Sequence, residues 1–320
     1  MARYLLLFVF LKVLLPDVVY STQCFEPDCN KAKFNYNPFS CLAPSSWAAI
    51  TPCWSTCNGQ RQSPVNIIRN QAVFQSNLQS FSFNIGVQDR FMVSTHIKGF
   101  KTSYKVEEDV ILSKVNQFGL NGKSFKLDSF HFHAGKFRSS KGSEHSFDNE
   151  FQPLELHLVF YNTEYPDVKT AAGNADGLLV IGVMVQVYPG FSLTPFPGCE
   201  NDYKRTLSNL MGETLSSTEY PDSSSSEETD SVESFTRLKN LLPSNRGSYY
   251  TYQGSLTTPP CSETVTWVLM KCPIIVSKSA MEAFQQLEIS STGERLGVYG
   301  NRRPIQRDQQ NKPFTVLKNF

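Results

Sequence analysis

The chain has 320 residues, of which 40% are hydrophobic, 12% aromatic and 18% charged. That is room for one large domain or two ordinary ones, and it excludes a wholly disordered chain. Lysine plus arginine number 30 against 29 acidic residues, a net charge of +1, which argues against nucleic acid as the main partner.

The opening residues, MARYLLLFVFLKVLLPDVVY, set a basic Arg3 before an apolar run from Leu5 to Leu15. The run is too short to cross a bilayer, and small and polar residues follow it. Residues 1–21 therefore read as a secretory signal peptide. No later stretch reaches the roughly 18 apolar residues of a membrane-spanning helix. The final stretch, RDQQNKPFTVLKNF, lacks the hydrophobic tail of a lipid-anchor signal. The expectation is a secreted, extracellular protein with no transmembrane segment.

Cysteine usage agrees. Cys24, Cys29, Cys41, Cys53, Cys57, Cys199, Cys261 and Cys272 make an even count, which behind a signal peptide favours disulfides over zinc thiolates. Five of them crowd into residues 24–57, so this segment is expected to be stapled and irregular. Eight cysteines allow about 105 pairings, and spacing alone does not choose among them. No N-glycosylation sequon occurs.

From Gln62 onward, short runs rich in Val, Ile, Phe and Thr alternate with turn residues. SPVNII, FQSNLQSFSFNI, FMVSTHI, SYKVEEDVIL, LDSFHFHAG, LELHLVFY and GLLVIGVMVQVY are read as strands. Helical patterns are short and fall at Asp202–Leu215, Ser234–Leu241 and Ser279–Leu287. The fold class is mostly β, with residues 22–320 as a single domain built on one large sheet with small peripheral helices. Residues 218–234, TEYPDSSSSEETDSVES, carry six acidic groups and no basic one. Such a segment cannot bury a core and reads as a surface loop or insertion.

The chemistry lies in the histidines. Strict alternation in SFHFHAG puts His131 and His133 on one strand face and Phe130 and Phe132 on the other. In PLELHLVFY, Glu155, His157 and Val159 share a face opposite Leu154, Leu156 and Leu158. Buried polar groups cost roughly 1–3 kcal/mol each when unsatisfied. A divalent metal satisfies three imidazoles at once, and zinc suits three nitrogen ligands with a fourth position open. Glu155, two residues from His157, can orient its ring. Two further stretches stand out, GSEH at Gly142–His145 and GSLTTPP at Gly254–Pro260. A cupin-like metal site also uses HxH on strands, but it expects a glutamate three or four residues later, and Ala134–Phe137 holds none.

FHFHAG, GSEH, LELHLVFYN, DGLLVIGVMVQV and GSLTTPPCSETVTW occur in that order, with QRQSPVNI before them and NRRPIQ after. Together they resemble the alpha-class carbonic anhydrases over about Asn35 to Lys318, and among these the secreted and membrane-bound animal forms. The resemblance implies a twisted, mainly antiparallel sheet of about ten strands and the zinc-dependent, reversible hydration of carbon dioxide. His131, His133 and His157 match the zinc ligands. Thr257 matches the hydroxyl that accepts a hydrogen bond from zinc-bound hydroxide and passes its own proton to Glu144. Glu155 matches the partner of the third ligand. Val159, Val180, Leu256 and Trp267 match the apolar wall for carbon dioxide, the Thr257 amide orients substrate, and Thr258 lies at the mouth. Bicarbonate, sulfonamides and anions are the implied ligands, and a monomer is the default. The resemblance also implies a Cys57–Cys261 disulfide and, from a membrane-anchored subset, Cys29–Cys41; it assigns no pairing to Cys24, Cys53, Cys199 and Cys272, among which Cys24–Cys53 is one option. A related binding domain without catalysis is the alternative, and the retained histidines speak against it.

Three positions depart from the family. Where active members place a proton-shuttling histidine, this chain has Phe100, with Lys101 beside it and His96 four residues earlier. Ser129 stands where a glutamine commonly supports the first ligand, and Ala134 where a tryptophan commonly follows the second. The expectation is an active enzyme slowed by proton transfer.

Overall fold

The computed structural model describes residues 24–76, 78, 82–86, 89–98, 101–116, 118, 120–188, 199, 232–289, 294–306 and 317–319. The expected signal peptide, the helix expected at Asp202–Leu215, Phe100 and residues 218–231 of the acidic segment lie outside them.

The strands run Asn66–Ile67 (β1), Val73–Phe74 (β2), Ser82–Phe83 (β3), Arg90–Lys98 (β4), Lys101–Val106 (β5), Ile111–Val115 (β6), Lys123–Ala134 (β7) and Ser146–Phe147 (β8). They continue as Leu154–Asn162 (β9), Leu178–Tyr188 (β10), Val232–Arg237 (β11), Tyr249–Gly254 (β12), Val265–Met270 (β13), Ile274–Ser277 (β14) and Leu317–Asn319 (β15). The α-helices are Trp47–Ile50 (α1), Val168–Ala171 (α2), Leu238–Leu241 (α3) and Lys278–Gln285 (α4). Thirteen strands form one sheet along the path β11-β4-β5-β7-β9-β10-β13-β12-β15-β2, with β14 on β10, β6 on β7 and β3 on β6. Most pairings are antiparallel; β10 runs parallel to both β13 and β14, and β15 to β2.

Central strands bury both faces. Along β10, Leu179, Ile181, Val183, Val185 and Val187 enter one core, while Leu178, Val180 and Met184 enter the other. This is why LLVIGVMVQV reads as a continuous apolar run rather than an alternation. On β9, Leu154, Leu156, Leu158 and Phe160 join the first core, so Glu155, His157 and Val159 are left on the opposite face. Helix α4 packs Ala280, Met281 and Phe284 against the first core, and Ser277 caps it by accepting the Ala280 N–H at 3.1 Å.

β7 carries a feature that alternation alone does not reveal. Phe125, Leu127, Phe130, Phe132 and Ala134 all belong to the same core, although Leu127 and Phe130 differ in parity. The register against β9 shifts between Leu127 and Ser129. One extra residue at this bulge changes the phase, so that Leu127 stays in the core while His131 and His133 point the other way.

Three local expectations are corrected. Ser234–Leu241 is not one helix: it begins as β11, which pairs with β4, and only Leu238–Leu241 is helical. Pairing covers an edge of β4 that would otherwise expose its backbone groups, and Val232, Phe235 and Thr236 suit a strand. For the same reason Val232–Ser234 are strand rather than acidic loop. SYKVEEDVIL is two strands, broken at Glu107–Val110.

The disulfides are Cys24–Cys41, Cys29–Cys53, Cys57–Cys261 and Cys199–Cys272. Cys57–Cys261 is as expected, whereas Cys29–Cys41 and Cys24–Cys53 are not formed. Glu26 N–H donates to Ile50 O at 2.8 Å, which lays the first residues along the α1 turn and brings Cys29 to Cys53. Asn35 N–H to Leu42 O, at 2.9 Å, closes the loop that returns Cys41 to Cys24. Around these bridges Tyr36, Trp47, Ile50 and Trp54 form a small aromatic core with Cys57 and Cys261. Among the described residues no helix is long and apolar enough to cross a membrane.

Candidate metal centre

Cross-strand partners on a sheet share a face. Three adjacent rows on one face build the site. His131 pairs with His157, which pairs with Gly182. Ser129 pairs with Val159, then Val180, then Trp267. His133 pairs with Glu155, then Met184. Two strands thus bring HxH and ExH into one cluster, with an apolar row along one side.

The three imidazoles are buried, with ring centroids 4.5–5.3 Å apart and one ligand atom from each within 4.8 Å of the others. Partners outside the cluster set the rings. His133 Nδ1 lies 2.7 Å from Asn301 O, and His157 Nε2 lies 2.7 Å from Glu155 Oε1. With Nδ1–H and Nε2–H committed there, Nε2 of His133 and Nδ1 of His157 remain to hold a metal. A set of three neutral nitrogens fits zinc with an open fourth position.

Glu144 reaches the cluster from the loop after β7. Gly142 and Ser143 N–H both donate to Gln152 O at 2.8 Å, and a Cβ on Gly142 would sit 1.8 Å from Pro153 O. Only glycine fits that bend. The Glu144 carboxylate accepts the Arg303 N–H at 2.7 Å, has the Thr257 side chain beside it, and lies 3.4 Å from His133 Nδ1. Burial pushes its pKa well up, and the Arg303 amide and Thr257 pull the other way. A cation held by the histidines would act in the same sense as those two. Glu155 is equally buried, yet the His145 and His157 rings outweigh that burial and hold its pKa well below the ordinary value. Two neighbouring carboxyls are thereby driven apart.

Thr257 is buried beside the cluster, and Thr258 is half-buried one residue on. Their segment is fixed from behind: Trp267 Nε1 donates to Ser255 O at 3.0 Å, and Leu256 packs with Val159, Val180 and Trp267. The Trp267 ring lies 4.8 Å from that of His157. Thus the expected ligands, Glu155, Glu144, Thr257 and the apolar wall are brought together. Ser129 is two residues from His131 in the apolar row. Phe100 falls outside the described residues.

Sequence reasoning missed Asn301, Arg303 and Gly182. Asn301 holds His133 and also bonds Ala134 N at 2.7 Å and Phe132 O at 3.0 Å, which pins the end of β7. Arg303 is buried, with Nη1 on Gln62 Oε1 and Ser63 O and Nη2 on Cys57 O. The available signal was the NRRPIQ stretch, noted as a motif without a role. Gly182 faces His157, where a Cβ would come within 2.5 Å of Leu269 and 3.2 Å of Glu155.

A family profile described as eukaryotic-type carbonic anhydrase matches residues 42–315. A nacrein-like protein of Mytilus californianus is 32% identical over 325 residues, covering 86% of this chain and 98% of its own. Carbonic anhydrase 7 of Mus musculus is 34% identical over 265 residues, covering 82% and 90%. The mitochondrial carbonic anhydrase 5B of the same species is 31% identical over 275 residues, covering 84% and 78%.

Proposed function

The chain belongs to the eukaryotic-type carbonic anhydrases, and from that premise we propose that it catalyses the reversible hydration of carbon dioxide to bicarbonate and a proton. The observation that carries this reading is the convergence of three buried imidazoles on a point beside Thr257, Glu144 and an apolar wall. His131, His133 and His157 would hold zinc, which supplies a hydroxide nucleophile near neutral pH, as is general for carbonic anhydrases.

The chain's own groups do the rest. Thr257 commits its hydroxyl proton to Glu144, so Oγ1 faces the nucleophile only as an acceptor. That fixes which way the attacking lone pair points. Val159, Val180, Leu256 and Trp267 offer carbon dioxide, an apolar molecule, a dry surface within reach of that lone pair. The Thr257 amide orients the substrate oxygen, and Thr258 lines the way out. Glu155 keeps the His157 ring in the tautomer that leaves Nδ1 open. A proton must leave at each turnover, and phenylalanine at position 100 cannot carry it. Hydration is therefore limited by proton release. The four disulfides support an extracellular setting, with the chain secreted as a soluble monomer.

The test is zinc content together with stopped-flow hydration in rising imidazole buffer. One equivalent of zinc, sulfonamide-sensitive activity and a turnover that climbs with imidazole are expected. Turnover indifferent to buffer would remove the proton-release step from the reading. Zinc without hydration would favour the non-catalytic binding domain.

A further inference from the structure

Apart from the metal centre, helix α4, the turn after β7 and the segment around Arg295 frame an open cavity of about 540 Å³. Phe137, Arg138, Glu282, Gln285, Gln286 and Arg295 line it, and none of them has a role in the site above. Its walls are tied together. Gln285 Nε2 donates to Gly135 O and to Lys136 O, each at 3.0 Å, which fastens α4 to the turn. Phe137 N–H donates to Gly297 O at 2.7 Å, and the Phe137 ring lies so close to Gly297 that a Cβ there would come within 2.5 Å of it. Arg138 follows with φ 60°, in a turn closed by Ser139 N–H on Lys136 O at 2.9 Å.

The lining groups ask for one kind of ligand. Arg138 and Arg295 are both exposed, and Arg295 spends Nη1 on a neutral acceptor, Gln286 Oε1, at 2.6 Å. Two guanidinium forks at one cavity suit a carboxylate. Gln285 is 1% exposed, and its Oε1 has no hydrogen-bond partner among the described residues, although its Nε2 has two. A buried acceptor left open costs free energy, so it calls for an N–H or O–H donor. Glu282 lies along the same helix and meets Lys278 Nζ only at 3.7 Å, which leaves its carboxylate able to receive a donor as well. The Phe137 ring is 37% exposed and supplies apolar surface. A carboxylate, an N–H next to it and an apolar side chain together make an apolar amino acid, either free or as the last residue of a peptide. A compact dianion such as phosphate would leave the Gln285 acceptor unmet and would face Glu282.

We propose that this cavity is a binding site for an apolar amino acid carrying a free carboxylate: Arg138 and Arg295 take the carboxylate, Gln285 Oε1 takes the N–H, and Phe137 packs on the side chain. The site stands whether or not the histidines hold zinc.

The test is isothermal calorimetry on the full chain, with phenylalanine as the first probe. A dissociation constant of about a millimolar is expected, the scale for a ligand of that size. Phenylalaninamide, which lacks the carboxylate, should bind about tenfold more weakly, and so should phenylalanine to Arg138→Gln and to Arg295→Gln, at the low end for charge-assisted hydrogen bonds. Both arginines are exposed, so both variants should keep the parental thermal unfolding. 3-Phenylpropanoate keeps ring and carboxylate without the N–H, and it should bind several-fold more weakly than phenylalanine. N-acetylphenylalanine separates the two sources: binding at least as tight as phenylalanine points to a peptide end, and weaker binding to the free amino acid. If neither compound binds saturably, the proposal is overturned. Unchanged affinity in both arginine variants also overturns it, because the probe would then sit elsewhere, the metal centre included. Equal affinity for 3-phenylpropanoate would overturn the assignment to an amino acid.

Discussion

Thr257 and Glu144 show how much depends on single groups here. In the proposed mechanism one hydroxyl of Thr257 both donates and accepts, with Glu144 as the destination of its proton. Thr257→Val keeps the volume and removes the hydroxyl. Hydration should fall about a hundredfold, the scale for losing one preorganised hydrogen bond at a reacting group. Zinc content by atomic absorption should stay at the parental level, because Thr257 is not among the three histidines. A mutant that loses both together would show that Thr257 also builds the metal site. At this scale the sequence was legible wherever alternation applied: His131, His133 and His157 share a face because their strands have period two. Asn301 was not legible, since nothing local says that a residue 168 positions after His133 will accept its ring proton.

The elements that carry these groups are set by a few bends and pairings. The turn at Gly142 is a tight one, with Pro153 O 1.8 Å and Gly135 N 2.5 Å from the missing Cβ. Gly142→Ala must push Pro153 or Gly135 away, and neither is a flexible side chain. The expected cost is about 3 kcal/mol, read from urea unfolding, together with reduced zinc binding as Glu144 and His145 shift. The start of β7 is held differently. Lys123 Nζ bonds Asp176 Oδ2 and Glu164 Oε2, each at 2.7 Å, and Tyr165 donates to Asp176 Oδ1 at 2.8 Å. Lys123 and Tyr165 together lower the Asp176 pKa. A depressed carboxyl stabilises the fold above its unfolded value, near 3.9, and that contribution fades as pH falls through the folded value. Asp176→Asn should therefore cost stability at pH 7 and little near pH 2. The effect should be at most about 1 kcal/mol, because water screens this half-exposed group. Thermal melts at the two pH values measure it, and an equal loss at both would show that packing, not charge, is responsible. Two elements eluded the sequence reading for one reason. The bulge in β7 and the strand at the head of Ser234–Leu241 both follow from the neighbouring strand, and local pattern does not contain the neighbour.

Across the whole molecule, the sheet and the disulfides divide the labour. The sheet buries an apolar core on each side, and the histidine cluster lies on the face opposite the first of them. Cys57–Cys261 joins residues 204 apart and ties the aromatic N-terminal core to the Thr257 segment. Replacing both cysteines by serine should cost about 2–5 kcal/mol in urea unfolding, through the entropy of the opened loop. A loss well below that would show that the remaining bridges and packing already restrict the unfolded chain. The sequence by itself determined the β class, the zinc-type donor set, the face on which the histidines lie, and through its ordered motifs the family. These are local or cumulative properties, written in period-two alternation and in short runs of residue type. Only the tertiary structure decided which cysteines pair in residues 24–57, where β7 breaks phase, and that Asn301 and Arg303 stand behind the site. Each of those depends on residues far apart in sequence meeting in a packed interior, and buried groups there are satisfied by whichever partner the fold delivers.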